Sequence, residues 1–234
     1  MDRTIRENLD GEYLIIHAHQ FEEGIAFASE KKLTQIQLRG IIGQENNRAV
    51  VDFKNLESIS ATLKVISFVM DEDEALESVI NFESIYSLTN LEKIHIQNRH
   101  KLSLDLSLFP KLKHLGSEYW KGISSFSKAK TLTSIVFSKQ YTDKDLEQFS
   151  NLSKLEILHI YNSNKVESLK GIEKLSKLKE LCLSRNRNLE NIEALSKIQQ
   201  FKRLTIEKCN KISDYSVINV LRNIENLEVD NFKR

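Results

Sequence analysis

The stretch LEILHIYNSNKVESLKGIEKLSKLKELCLSRNRNLENIEALSKIQQFKRLTI, residues 155–206, decides the fold. Leu155, Leu158 and Ile160 recur 23 residues later as Leu178, Leu181 and Leu183, and 23 later again as Phe201, Leu204 and Ile206. Apolar residues at the first, fourth and sixth positions read as a strand with one face buried. The rest of each unit is apolar at every third position, through Val166, Leu169, Ile172 and Leu175 and again through Leu189, Ile192, Leu195 and Ile198. A spacing of three suits a short helical or 3-10 return with one inward stripe. Neither stripe can be covered inside a single unit, so the units are stable only when stacked, with every strand parallel to the last.

The phase extends outward from this stretch. Leu132, Ile135 and Phe137 stand one unit upstream, and Ile224, Leu227 and Val229 one unit downstream. Farther upstream the step shortens, through Leu112 and Leu115 and through Leu91, Ile94 and Ile96. Leu63, Ile66, Phe68 and Leu33, Ile36, Leu38 read as two more strands, with Phe53, Leu56 and Ile59 between them out of phase. Residues 33–234 are thus expected to hold about nine units. Residues 1–32 are read as an N-terminal cap, with an edge strand at Tyr13–Ala18 and a helix over Phe21–Lys31.

Leu178-x-x-Leu181-x-Leu183-x-x-Asn186 and Phe201-x-x-Leu204-x-Ile206-x-x-Cys209 resemble the core motif of the leucine-rich repeat family, and the resemblance covers roughly residues 33–229. It implies an α/β solenoid: a right-handed horseshoe with a concave parallel β-sheet and a convex layer of short helices or 3-10 turns. The ninth position departs from Asn or Cys at Ser163, Gln140, Trp120 and Arg99. Irregular turns are therefore expected in the N-terminal half.

If positions one, four and six point inward, positions three, five and seven point out on the concave side. The third position runs Gln35, Val65, Lys93, His114, Ser134, Ile157, Glu180, Arg203, Asn226, and the fifth Gln37, Ser67, His95, Gly116, Val136, His159, Cys182, Thr205, Glu228. The seventh runs Arg39, Val69, Gln97, Glu118, Ser138, Tyr161, Ser184, Glu207, Asp230. Aromatic anchors amid polar groups are the raw material of interface hot spots. The expected partner-binding residues are Lys93, His95, Gln97, His114, Glu118, Ile157, His159 and Tyr161, with Tyr119 and Trp120 at the adjoining turn. Glu180, Glu207, Glu228 and Asp230 around Arg203 add an acidic C-terminal group suited to a basic surface, such as a nuclease cleft.

The 34 basic and 33 acidic side chains leave a net charge of +1, so no global field draws the chain to nucleic acid or an anionic membrane, and direct nucleic-acid contact is not expected. No apolar run is long enough to span a bilayer, and two cysteines, Cys182 and Cys209, build no disulfide framework; both fit a cytosolic protein. Phosphate-binding glycine loops, zinc-protease and CxxC patterns and nucleophile elbows do not occur. His95, His114 and His159 lack a short-range ligand pair, and Cys182 lacks a clustered basic neighbour in its strand. Catalytic, cofactor and metal residues are accordingly not expected. The run Asp71-Glu72-Asp73-Glu74 is read as capping a helical return near Ala75. The chain is read as a non-enzymatic binding module, monomeric alone, that occludes a protein partner. A small repeat protein of this kind is similar in architecture to immunity proteins that some bacteria make against delivered toxins. The alternative is a scaffold or adaptor within a larger complex.

Overall fold

Leu158, Leu181 and Leu204 lie side by side in adjacent parallel strands, as the 23-residue phase requires. The computed structural model describes residues 4–39, 51–69, 79–97 and 103–230. The acidic run at 71–74 and Arg99 lie outside the described residues. The chain divides into two units, residues 1–112 and 113–234.

In the first unit the sheet strands are β1 (Ile5–Asn8), β2 (Gly11–His17), β3 (Gln35–Arg39), β4 (Val65–Val69) and β5 (Lys93–Ile96), and the helix α1 is Phe21–Glu30. Strands β2 to β5 are parallel, with Leu14, Ile36, Ile66 and Ile94 in one register row. The strand and helix expected in the cap are both present. The cap strand is not the edge, however: β1 pairs with it antiparallel, Ile5 opposite Leu14. No repeat phase marks β1, whose residues are all exposed.

The second unit holds β6 (His114–Ser117), β7 (Ser134–Phe137), β8 (Ile157–Tyr161), β9 (Glu180–Ser184), β10 (Arg203–Glu207) and β11 (Asn226–Val229). All are parallel, and the row His114, Ser134, Ile157, Glu180, Arg203, Asn226 runs straight across them. Each strand returns through a short 3-10 turn, such as Ile172–Lys174 or Glu193–Lys197. Leu155, Leu158, Leu169, Leu178, Leu181, Leu195 and Leu204 are fully buried between the strands and these returns. Burying one such side chain contributes about 1.5–3 kcal/mol.

The ninth-position residues tie one repeat to the next. Asn186, wholly buried, donates through Nδ2 to the Ile160 carbonyl (2.9 Å) and accepts through Oδ1 from the Ser163 amide (3.1 Å). Ser163 fills the same role with a shorter side chain, donating from Oγ to the Tyr141 carbonyl at 2.8 Å. Just ahead of the ninth position, β8, β9 and β10 are each followed by a residue with positive φ, namely Asn162 (53°), Arg185 (56°) and Lys208 (52°). A left-handed residue of this kind costs about 1–2 kcal/mol outside glycine. Backbone bonds to the next repeat, Asn162 to Ser184 and Arg185 to Glu207, offset it.

Gly171 has φ of 107°, and a Cβ there would stand 2.6 Å from the backbone of Glu147 in the preceding return. The close approach of adjacent returns thus requires glycine at this position. Gly171→Ala should lower unfolding stability by about 1–3 kcal/mol, a strained-backbone cost. Asn186→Ala should cost about 1–3 kcal/mol for each backbone group left unpaired. Chemical denaturation measures both, and unchanged midpoints would contradict the assigned roles.

Candidate functional site

The open face of each sheet, on the side away from the 3-10 returns, carries the third, fifth and seventh side chains. In the second unit, β8 and β9 bring four of them into a single chain of hydrogen bonds. His159 Nε2 meets Glu180 Oε1 at 2.8 Å, and Tyr161 Oη meets His159 Nδ1 at 3.2 Å. With Glu180 ionised, Nε2 carries the proton and donates, so Nδ1 accepts from the phenol; the tautomer is assigned from these partners. Cys182 shares a further hydrogen bond with Tyr161, and Arg203 Nη1 donates to Glu180 Oε2 at 3.4 Å. The alternation of the strands forces this grouping, since His159 lies opposite Cys182 and Tyr161 opposite Ser184 in register.

A carboxylate, an imidazole and a hydroxyl in line have the outline of a catalytic relay, but the acidities run the wrong way. Burial, then the neighbouring Cys182, pushes the Tyr161 phenol well above its ordinary value. The Cys182 thiol is likewise raised, first by burial and then by Glu207, Glu180 and Glu228, while Tyr161 lowers it. A nucleophile needs the opposite shift. Cys209 is buried under the last turn and its thiol is pushed up to about 11, chiefly by burial. The relay therefore holds Tyr161 and Cys182 in their protonated forms and fixes the side chains in place. Tyr161 and His159 stand edge to face with ring centroids 5.9 Å apart.

Ile157, His159, Tyr161 and Glu180 are half-buried on this face, and Arg203, Glu207 and Glu228 are exposed. His114 joins them on β6, its Nδ1 meeting Ser134 Oγ at 2.9 Å. Three expected anchors are absent from the surface. Tyr119 and Trp120 are each only 6% exposed, as is Glu118. The turn after β6 folds inward there because an aromatic cluster draws it in: Tyr119 packs edge-on to Phe137 at 5.2 Å and Tyr141 at 5.0 Å, with Phe149 beyond. Burial raises the Tyr119 and Tyr141 phenols. Sequence spacing missed this because Tyr141, at the centre of the cluster, lies off the repeat phase.

Asp230 is also reassigned. Its Oδ2 accepts from the Lys208 amide at 2.8 Å, the place where Asn162 and Arg185 bond the next strand's carbonyl. The carboxylate stands in for its own main-chain carbonyl in joining the turn after β10 to the last repeat.

The first unit carries Lys93 and His95 on β5 and Gln97 just past its end. Gln97 is exposed. Lys93 is not free for a partner: its ammonium pairs with the Asp10 carboxylate from the β1–β2 turn, whose carbonyl accepts from the buried Gln35 amide. Nothing in the repeat pattern points to this contact, 83 residues apart in sequence. His95 sits beside it, half-buried. Among the described residues no group of three His, Cys, Asp or Glu side chains could hold a metal ion, and no helix is long and apolar enough to cross a membrane.

Burial, with Lys93 acting in the same direction and Asp10 opposing, holds the His95 imidazole below its ordinary value of 6.5. The unfolded chain therefore takes up this proton first as pH falls, so the stability contribution is whole above about 6.5 and is lost through the lower, folded value. His95→Asn should make the fall in thermal midpoint between about pH 7 and 5 shallower than in the parent chain. Parallel curves would contradict this placement.

No known family's sequence profile matches the chain, and no curated protein matches it. Solved structures do. An internalin C2 from Listeria monocytogenes is 16% identical with a TM-score of 0.57, over 78% of this chain and 77% of that one. An internalin F from the same organism is 15% identical with a TM-score of 0.53, over 86% of this chain. A leucine-rich repeat protein from Leptospira interrogans is 17% identical with a TM-score of 0.53, over 83% of this chain. The match spans 62% of the internalin F chain and 55% of the Leptospira chain. At these identities the likeness is one of fold, and the fold is the leucine-rich repeat solenoid.

Proposed function

We propose that this chain is a protein-binding module that holds and occludes one protein partner on the open face of its second unit, as a cytosolic immunity protein neutralises a cognate bacterial toxin. The observation that carries the reading is the set His159, Tyr161 and Glu180, locked together by hydrogen bonds with Ile157 on the same face, which the stack itself does not need. Side chains fixed before the partner arrives lose less conformational freedom on binding. Tyrosine in such a setting gives a large, partly apolar contact with a polar tip.

Beside this set the face becomes acidic, through Glu207 and Glu228, with Arg203 at the opposite end of β10 from Glu207. That gradient suits a partner with a basic cleft, such as a nuclease toxin, whose substrate-binding charge would be covered. Binding there blocks by occlusion and requires no chemistry from this chain.

Mixing the protein with toxin domains encoded beside its gene should give a complex and loss of toxin activity. Tyr161→Ala and Ile157→Ala should each weaken that complex by about 2 kcal/mol, the hot-spot scale, or roughly 30-fold. Lys165→Ala, exposed beyond the strand ends, should leave it unchanged. Full affinity in both face variants would move the interface elsewhere, and no complex with any neighbour would remove the immunity role.

A further inference from the structure

The inward rows of the second unit lose their cover at β11. Phe201, Leu204 and Ile206 of the β10 repeat are each 1% exposed or less. Their equivalents one step on, Ile224, Leu227 and Val229, are only half-buried, and Val220 in the return before them is 53% exposed. In the first unit, by contrast, β1 pairs alongside β2, and the inward Leu14 and Ile16 of β2 are 1% and 2% exposed. A stacked repeat array needs a polar outer surface on its terminal repeats. The outer flank of β11 is apolar instead.

The backbone edge of β11 is open as well. The Asn226 and Asp230 amides donate to the Lys202 and Ile206 carbonyls of the β10 repeat, each at 3.0 Å. By alternation the N–H and C=O groups of Leu227 and Val229 point away from β10, where no strand among the described residues pairs with them. Such an edge recruits another strand unless charge forbids it. Of the three acids along it, Glu225 is paired with Lys202 at 2.7 Å and Asp230 accepts from the Lys208 amide. Glu228, which accepts from Asn226 Nδ2 at 3.2 Å, is the carboxylate left to place.

We propose that β11 pairs antiparallel with β11 of a second copy of this chain, Leu227 opposite Leu227 across a two-fold axis. A two-fold parallel pair would turn one sheet over and set its open face beside the other's inward row, whereas an antiparallel pair keeps both inward rows on one side. Residues with outward backbone groups must face one another, so β11 offers three antiparallel registers. Leu227 opposite Val229 sets Glu228 against Glu228, and Val229 opposite Val229 sets Glu228 against Asp230. Like charges so placed are destabilising. Leu227 opposite Leu227 sets Glu228 against Asn226, twice by symmetry, and the amide has a second N–H and the carboxylate a second oxygen for that contact. On the inward side Leu227 of each copy then meets Leu227 directly and Val229 diagonally, which covers the half-exposed row. The contact is isologous and stops at two copies. A four-residue edge buries less than the roughly 800 Å² per partner of a standard interface, so the dimer is weak, with a Kd of about 10–100 μM. Both open faces stay on the same side with β8 three strands from the axis, so the inference does not rest on the partner reading. At high concentration it replaces the single chain expected from the sequence.

Sedimentation velocity from about 5 to about 500 μM, bracketing that range, tests the proposal. The mass of the parent chain should rise from that of one copy towards that of two and no further. Asn226→Glu puts like charges opposite across the axis while keeping Arg203 as a favourable neighbour within the copy, and should weaken dimerisation by about tenfold or more. Adding Glu228→Lys makes each cross-axis pair opposite in charge and should restore the affinity to the parent level or above. Circular dichroism on both variants separates lost pairing from lost folding. Amide exchange on the parent chain needs no substitution: the Leu227 amide should slow as concentration rises, while those of β8 stay constant. A parent chain that remains single throughout, undiminished dimerisation by Asn226→Glu, a folded double variant that fails to recover, or masses beyond two copies would overturn it.

Discussion

Everything in this molecule depends on parallel strands held in register, each placing its leucines beside those of the next. The leucine rows and the strand hydrogen bonds need each other: the rows align only if the strands do, and the strands pair only where the apolar side chains leave water together. A slip of one residue would turn Leu158 outward and His159 inward. The constant 23-residue step forbids that slip from β8 onward.

Two kinds of polar device stabilise the stack at its weakest points. The Ser163 and Asn186 side chains satisfy buried backbone groups where a strand becomes a turn, and so join consecutive repeats. Between β10 and β11 the Asp230 side chain accepts from the Lys208 amide in place of the main-chain carbonyl used in the preceding repeats. The rest of the open face takes no part in either device. Its side chains are therefore free to vary with the demands of a partner, and in β8 and β9 they form a preset hydrogen-bonded group.

Much of this was legible in the sequence where one period governs. The strands from Ser134 onward, the 3-10 returns and the stacking of Leu158, Leu181 and Leu204 all follow from apolar spacing, because burial is what spacing records. The cap strand and helix were legible for the same reason. Features outside the period were not. The β1 strand is exposed and carries no apolar pattern, and the Asp10–Lys93 pair joins residues far apart in sequence. Tyr119 and Trp120 looked like surface anchors because the strand register was extended past its end, into a turn that an aromatic cluster pulls inward.

The central claim is that the inward row holds the stack and the outward row is spare. Denaturant unfolding of Leu181→Ala and of Thr205→Ala, neighbours on β9 and β10 but on opposite faces, tests it directly. The account predicts a loss of about 2–5 kcal/mol for the buried leucine and a change within about 0.5 kcal/mol for the threonine. Comparable losses at both positions would contradict it.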